Sequence, residues 1–194
     1  MIEAARAGQL DFGENRVQEG LAKIDECLPA LSAGVSWHLI GHLQTNKAKK
    51  AAAGFQWIHS VDSVDLLQKL DAAAAEANTR PKILIQVDLA HEATKSGAQL
   101  SDVPALVAAA RSARAVELAG LMLVPPIAEN PEDARPWFRQ LRGVRDALVA
   151  AGTPAASLKE LSMGMSHDFE VAIEEGATMV RVGSAIFGQR DYPA

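Results

Sequence analysis

Short apolar runs alternate with segments of helical spacing from one end of the chain to the other. Runs at residues 37–41, 55–61, 82–89, 117–125, 160–165 and 179–187 predict strands, and a shorter one at 11–15 predicts a seventh. Between them the spacing predicts helices at 17–27, 44–53, 63–77, 101–113, 134–151 and 168–175. The segment 63–77 shows the basis: Ser63 is placed to cap, Leu66, Leu67 and Leu70 share one face, and a run of alanines follows. Ile83-Leu84-Ile85-Gln86-Val87 is apolar almost without interruption, as a strand becomes when helices cover its sheet. The class is therefore α/β.

No linker, low-complexity tract or shift of composition divides the chain, so one domain over residues 1–194 is expected. Seven strands fit two architectures, an open doubly wound sheet and a (β/α)8 barrel of the TIM type from which one strand is absent. The opening Ile2-Glu3-Ala4-Ala5-Arg6-Ala7-Gly8 reads as the last turns of a helix with a glycine at its end and no strand before it. That favours the barrel, with the first strand and part of its helix missing. The length agrees, because complete barrels usually run to ~250 residues and small ones to about 200.

With 48% hydrophobic and 22% charged residues, the chain has the composition of a soluble protein with one sizeable core. A net charge of −5 and a pI near 5.5 argue against nucleic acid and anionic membrane as partners. Lys47, Lys49 and Lys50 read as a solvated helix face. The longest apolar stretch, 118–128, holds two prolines and falls short of the ~20 residues that span a bilayer, so it reads as a buried strand. No leader opens the chain and Cys27 stands alone, which points to the cytoplasm and a structural thiol. His38 and His42 are four apart, but they lie on a strand running into a turn and do not form a helical zinc pair.

Chemistry concentrates near the end of the chain. Leu161-Ser162-Met163-Gly164-Met165-Ser166-His167-Asp168 closes one strand and opens a helix, and Val180-Arg181-Val182-Gly183-Ser184 closes the next. In barrels the loops after the last two strands often hold phosphate on free amides and a helix N-terminus. A plain structural role is open for each turn, since Gly and Ser are common in turns. Arg181 must face either the barrel interior or the helices, and it needs a partner: a carboxylate such as Glu14, or a ligand.

Phe12-Gly13-Glu14-Asn15-Arg16-Val17-Gln18-Glu19 resembles the motif FGENYVQE of the pyridoxal phosphate homeostasis protein family. The stretch from Trp37 to Lys47 is similar to that family's WHFIGxLQxNK, and Lys95-Ser96-Gly97 to its KSG. Gly120-Leu121-Met122, the stretch from Leu161 to Ser166 and the stretch from Met179 to Gly188 follow in family order, so the resemblance covers nearly the whole chain. It implies a barrel of the alanine racemase N-terminal kind with pyridoxal 5'-phosphate at its mouth. Ser166, Gly183 and Ser184 match the family's phosphate-binding positions, and Arg181 matches the arginine facing the pyridine nitrogen. Asn15 and Met163 match residues that line the pocket, beside readings of Asn15 as a helix cap and Met163 as core.

The resemblance also implies a Schiff-base lysine in a first-strand motif of the form AVSK, which none of the eight lysines here matches. No catalytic residue is assigned for that reason. The implied role is a cytoplasmic, monomeric, non-catalytic protein of pyridoxal phosphate homeostasis and amino-acid balance, with pyridoxal-phosphate-dependent apoenzymes as partners. Two alternatives stand beside it. A racemase of the same barrel type needs a tyrosine from a second domain, and the only tyrosine is Tyr192. A barrel for another phosphorylated metabolite would use His167 and Asp168 as its acid/base pair.

Overall fold

The computed structural model describes residues 1–31, 34–90 and 96–188. Lys95 and Tyr192 lie outside the described residues. The chain alternates strand and helix: α1 (Ile2–Arg6), β1 (Asp11–Glu14), α2 (Val17–Cys27), β2 (Ser36–Leu39), α3 (Ala48–Gly54), β3 (Trp57–Val61), α4 (Val64–Ala77), β4 (Lys82–Asp88), β5 (Ala98–Gln99), α5 (Val103–Ser112), β6 (Glu117–Met122), α6 (Arg135–Ala150), β7 (Glu160–Met165), α7 (Phe169–Glu174), β8 (Met179–Arg181) and α8 (Ser184–Phe187). Seven of the strands pair in the order β1-β2-β3-β4-β6-β7-β8, all parallel, with the two-residue β5 beside β4.

The sheet is strongly curled. Three strand spacings of about 4.8 Å separate β3 from β7 along a flat sheet, yet His59 of β3 and Ser162 of β7 share a hydrogen bond of 2.9 Å. Only a sheet rolled toward closure brings those side chains together, and the result is a nearly closed parallel barrel. Its edges are β1 and β8. Along the β8 edge Ile173, Val180, Ile186 and Phe187 are exposed, as Leu10 is beside β1.

Pleating sorts the side chains into two layers. Ile83, Ile85 and Val87 of β4 join Leu39, Ile58, Leu121 and Leu161 in the large core beneath the helices, where Leu66, Leu70, Phe138 and Leu141 meet them. Leu84 points the other way, into a small inner cluster with Ala119 and Met122. Burying that outer layer supplies most of the hydrophobic stabilisation.

The expected elements are present with shifted ends, and one is corrected. The strand expected over 179–187 stops at Arg181, and residues Ser184–Phe187 form a single helical turn after Gly183. The helix expected over 44–53 begins as a tight turn at Thr45–Lys47. Ser63 does cap α4, accepting from the Leu66 amide.

Gly41 fixes the geometry of the loop after β2, because a Cβ there would lie 2.2 Å from the carbonyl oxygen of Asn15 at the end of β1. Backbone meets backbone, so neither side yields easily. Gly41→Ala is expected to destabilise the fold by about 1–3 kcal/mol. Urea unfolding measures this, and an unchanged midpoint would show that the loop moves freely at that point.

Candidate functional site

All strands run parallel, so their C-terminal ends share one mouth, where the last two strand-to-helix turns meet. The turn after β7 is pinned by Asp168, whose Oδ1 accepts from the Met165 amide at 2.6 Å. Beyond it, the Ser166 hydroxyl oxygen accepts from the backbone amides of Gly183 at 3.0 Å and Ala185 at 3.4 Å. Two amides of the second turn thus converge on one oxygen from the first. Gly183 has a φ of −117°, which suits any residue, and none of the described residues lies within 4 Å of where its Cβ would be. Neither strain nor packing within the chain calls for glycine there. Ser184, next to it, is exposed.

Arg181, the last residue of β8, turns its guanidinium inward. Nη1 donates to the Ser162 hydroxyl at 2.7 Å and Nη2 to the Leu123 carbonyl just beyond β6 at 2.9 Å. No carboxylate among the described residues forms an ion pair with it, and the expected alternative partner is elsewhere: Glu14 accepts from Lys23 at 2.6 Å. Burial pushes the guanidinium's pKa down to about 10, while the field of Asp168 opposes that shift. It remains a cation at neutral pH.

Behind Ser162 the polar groups continue through the interior. His59 Nδ1 lies 2.9 Å from Ser162 Oγ, His59 Nε2 lies 2.9 Å from His38 Nδ1, and His38 Nε2 lies 3.1 Å from Asp11 Oδ1. His59 and Ser162 are buried, at 2% and 0% exposure. Trp57 stacks on His38 with ring centroids 5.3 Å apart. Burial lowers the pKa of His38 despite the opposing pull of Asp11. It lowers His59 well below the ordinary imidazole value, and the fields of His38 and Arg181 add to that shift.

The structure brings Ser166, Arg181, Gly183 and Ser184 to one end of the barrel, with Asn15 exposed at the end of β1. Asn15 is no helix cap: Arg16 is the N-cap residue of α2 and no side chain caps it. The pocket-lining role expected of Met163 needs correction. Its side chain is 0% exposed in the large core with Leu161, because the pleat that turns Ser162 inward turns Met163 toward the helices. His167 and Asp168 do not form an acid/base pair. His167 Nε2 lies 2.9 Å from the Glu129 carbonyl, and Asp168 holds the turn.

The inward histidines and Ser162 are site residues that motif and spacing do not single out. Their signal is one of parity: polar His38 and Ser162 each sit between apolar neighbours that the strand buries beneath helices, and His59 follows Ile58, which is buried there too. Among the described residues no group of three or more His, Cys, Asp or Glu is arranged to hold a metal ion. No described helix is long and apolar enough to cross a membrane.

The family described as alanine racemase, N-terminal domain, matches residues 1–191. A relative in Aquifex aeolicus (strain VF5), named pyridoxal phosphate homeostasis protein, is 46% identical over 181 residues, covering 93% of this chain and 77% of the relative. A protein of the same name in Escherichia coli (strain K12) is 40% identical over 195 residues, covering 99% of this chain and 81% of its own length. Among solved structures, PipY of Synechococcus elongatus PCC7942 with PLP bound matches with a TM-score of 0.87 at 41% identity, over 96% of this chain and 85% of PipY. Without PLP it matches at 0.89 and 42%, with the same coverage. Alanine racemase from Clostridium difficile 630 matches at 0.77 over 100% of this chain and 49% of its own, but at 16% identity that likeness carries the fold alone.

The two imidazoles make stability depend on pH. Their pKa values are lowered by folding from 6.5, so between the folded and unfolded values the unfolded chain binds more protons. Their contribution is therefore fully present above the unfolded value and is lost as pH falls below it. The urea midpoint is expected to hold steady above about pH 7 and to drop between about pH 6.5 and 5. His59→Gln should flatten much of that slope; an identical slope in the variant would place the acid sensitivity on other groups.

Proposed function

This chain belongs to the pyridoxal phosphate homeostasis proteins, barrels of the alanine racemase N-terminal family, and from that premise we propose that it holds pyridoxal 5'-phosphate at the barrel mouth without turning over a substrate. The reading takes residues 1–194 as one ligand-holding barrel domain, monomeric and cytoplasmic, that delivers the cofactor to apoenzymes.

One observation carries it: the Gly183 and Ala185 amides converge on a single oxygen position in the turn that follows Arg181, whose guanidinium forms no ion pair with a carboxylate among the described residues. The Ser166 hydroxyl oxygen marks where an anionic oxygen would sit once that side chain turns aside. The open space over Gly183 leaves its backbone approachable by a phosphate, which supplies a reason for glycine that the chain's own packing does not. Ser166 and Ser184 would add hydroxyl donors, and charge-assisted hydrogen bonds of this kind are the stronger ones. Asn15 stands at the end of β1, the other edge strand of the barrel.

Bound here, pyridoxal phosphate would supply a reactive aldehyde and an electron-accepting ring. Arg181 bears on the second of these. As a guanidinium it only donates, so it would hold the ring nitrogen unprotonated and leave the ring a weaker electron sink than a carboxylate partner would. That suits holding the cofactor better than carbanion chemistry. Lys47 and Lys95 fall in family motifs at other positions and none of the eight lysines matches the family's cofactor lysine, so this reading has association in this chain as non-covalent. The racemase alternative rests on Tyr192, and the acid/base alternative on His167 and Asp168, which the fold already uses.

Titration of the chain with pyridoxal phosphate, followed by absorbance, is expected to show saturable binding. Ser166→Ala and Ser184→Ala should each weaken it by about 1–2 kcal/mol, and Arg181→Gln should also shift the absorbance of the bound ring. Three variants that bind as the parent does would remove this assignment. Racemisation of alanine well above the rate with free cofactor would replace the non-catalytic reading with the enzymatic one.

A further inference from the structure

The polar groups inside the barrel form an unbroken line: Arg181, Ser162, His59, His38, Asp11. Each link is 2.7 to 3.1 Å long. The line begins at the C-terminal end of β8 and finishes at Asp11, the first residue of β1, so it runs between the two ends of the barrel and joins opposite walls. Asp11 is 64% exposed at its end, whereas the three residues between are buried.

The two ends dictate the direction of every bond. Arginine has donors only, and an ionised carboxylate has acceptors only. Arg181 Nη1–H donates to Ser162 Oγ, which leaves the serine proton free to donate to His59 Nδ1. With its Nδ1 accepting, neutral His59 carries its proton on Nε2 and gives it to His38 Nδ1. His38 then carries its proton on Nε2 and gives it to Asp11. Every inner member accepts one bond and gives one, and both imidazoles are neutral Nε2–H tautomers. The reverse order requires a charged imidazolium at His38 and strands the Ser162 proton inside an apolar wall, which is costly.

Such a chain polarises in one sense, since each bond strengthens the next in a low dielectric. It lets the Asp11 carboxylate bear on Arg181 from the far end of the barrel. A carboxylate placed directly against Arg181 would set a negative charge at the mouth, where an anionic ligand has to enter.

We propose that Asp11, His38, His59 and Ser162 are positioning residues for Arg181: a one-way hydrogen-bond chain that aims its remaining N–H donors at the ring of the ligand and selects a ring with an acceptor nitrogen. The proposal rests on the reading that Arg181 meets the ring and the two turns meet the phosphate. Asp11 and Ser162 thereby affect ring affinity without touching the ligand, and leave phosphate affinity alone.

Two measurements on the full chain test it. Nitrogen-15 NMR of ligand-free protein at neutral pH should show His38 and His59 as neutral Nε2–H tautomers, with both Nε2 protons hydrogen-bonded. Ser162→Ala should perturb the His59 Nδ1 resonance, and Asp11→Ala that of His38 Nε2. In parallel, Asp11→Ala should weaken pyridoxal phosphate binding about five- to tenfold while inorganic phosphate binds as before, and Asp11→Asn, whose amide oxygen still accepts, should restore most of the loss. Because Asp11 is exposed, these variants should fold even where Ser162→Ala does not, and thermal melting checks that. Nδ1–H tautomers or an imidazolium in the parent overturn the chain, and so does an Asp11→Ala variant with unchanged pyridoxal phosphate affinity. Parent protein that binds neither probe instead removes the ligand reading of the mouth, and the positioning role with it, even if the tautomers are as expected.

Discussion

Arg181 carries a positive charge into the interior of the barrel, and a cation so placed is tolerated only with hydrogen-bond acceptors arranged around it. Here the acceptors are a hydroxyl and a carbonyl, from β7 and from the end of β6. Neither is charged. The nearest balancing carboxylate in the hydrogen-bonded line is Asp11, at the other end of the barrel. The demand for acceptors at Arg181 thus accounts for the polar residues on the inward faces of β2, β3 and β7, and those residues in turn bind strands that are not neighbours in the sheet.

The mouth depends on the same curvature. Ser166 reaches the amides of Gly183 and Ala185 because β7 and β8 end together, with the Asp168 carboxylate holding the first turn closed on the Met165 amide. Convergent amides suit a phosphate whichever group is attached to it. What distinguishes one phosphorylated ligand from another is the group deeper in the barrel, and there the chain presents a donor-only guanidinium. Two separate groups of donors, the convergent amides and the guanidinium, thus come from β8 and the turn that follows it.

Much of this is legible in the amino-acid sequence. Strand and helix order follows from apolar runs and helical spacing, because burial beneath helices leaves a strand few polar positions. Ser166, Gly183, Ser184 and Arg181 stand out because turn chemistry is local and a charged residue amid valines is conspicuous. Met163 misleads for an equally physical reason: it lies between site residues in sequence, but the pleat gives it to the opposite face. The single helical turn after Gly183 is hidden inside an apolar run, since a short stretch of that kind carries no period to separate helix from strand.

The amino-acid sequence by itself determined the alternation of elements, the parallel α/β class and the location of the mouth chemistry in the last two turns, since each of these depends on neighbours within a few residues along the chain. Only the tertiary structure decided that Arg181 turns to Ser162 rather than Glu14, and that His38 and His59 join Asp11 to the mouth. His59 and Ser162 lie 103 residues apart, and their contact exists because a curled sheet brings opposite walls within hydrogen-bonding distance. Local pattern carries no trace of which distant strand a side chain will face; that is set by how far the sheet rolls and in what register its strands pair.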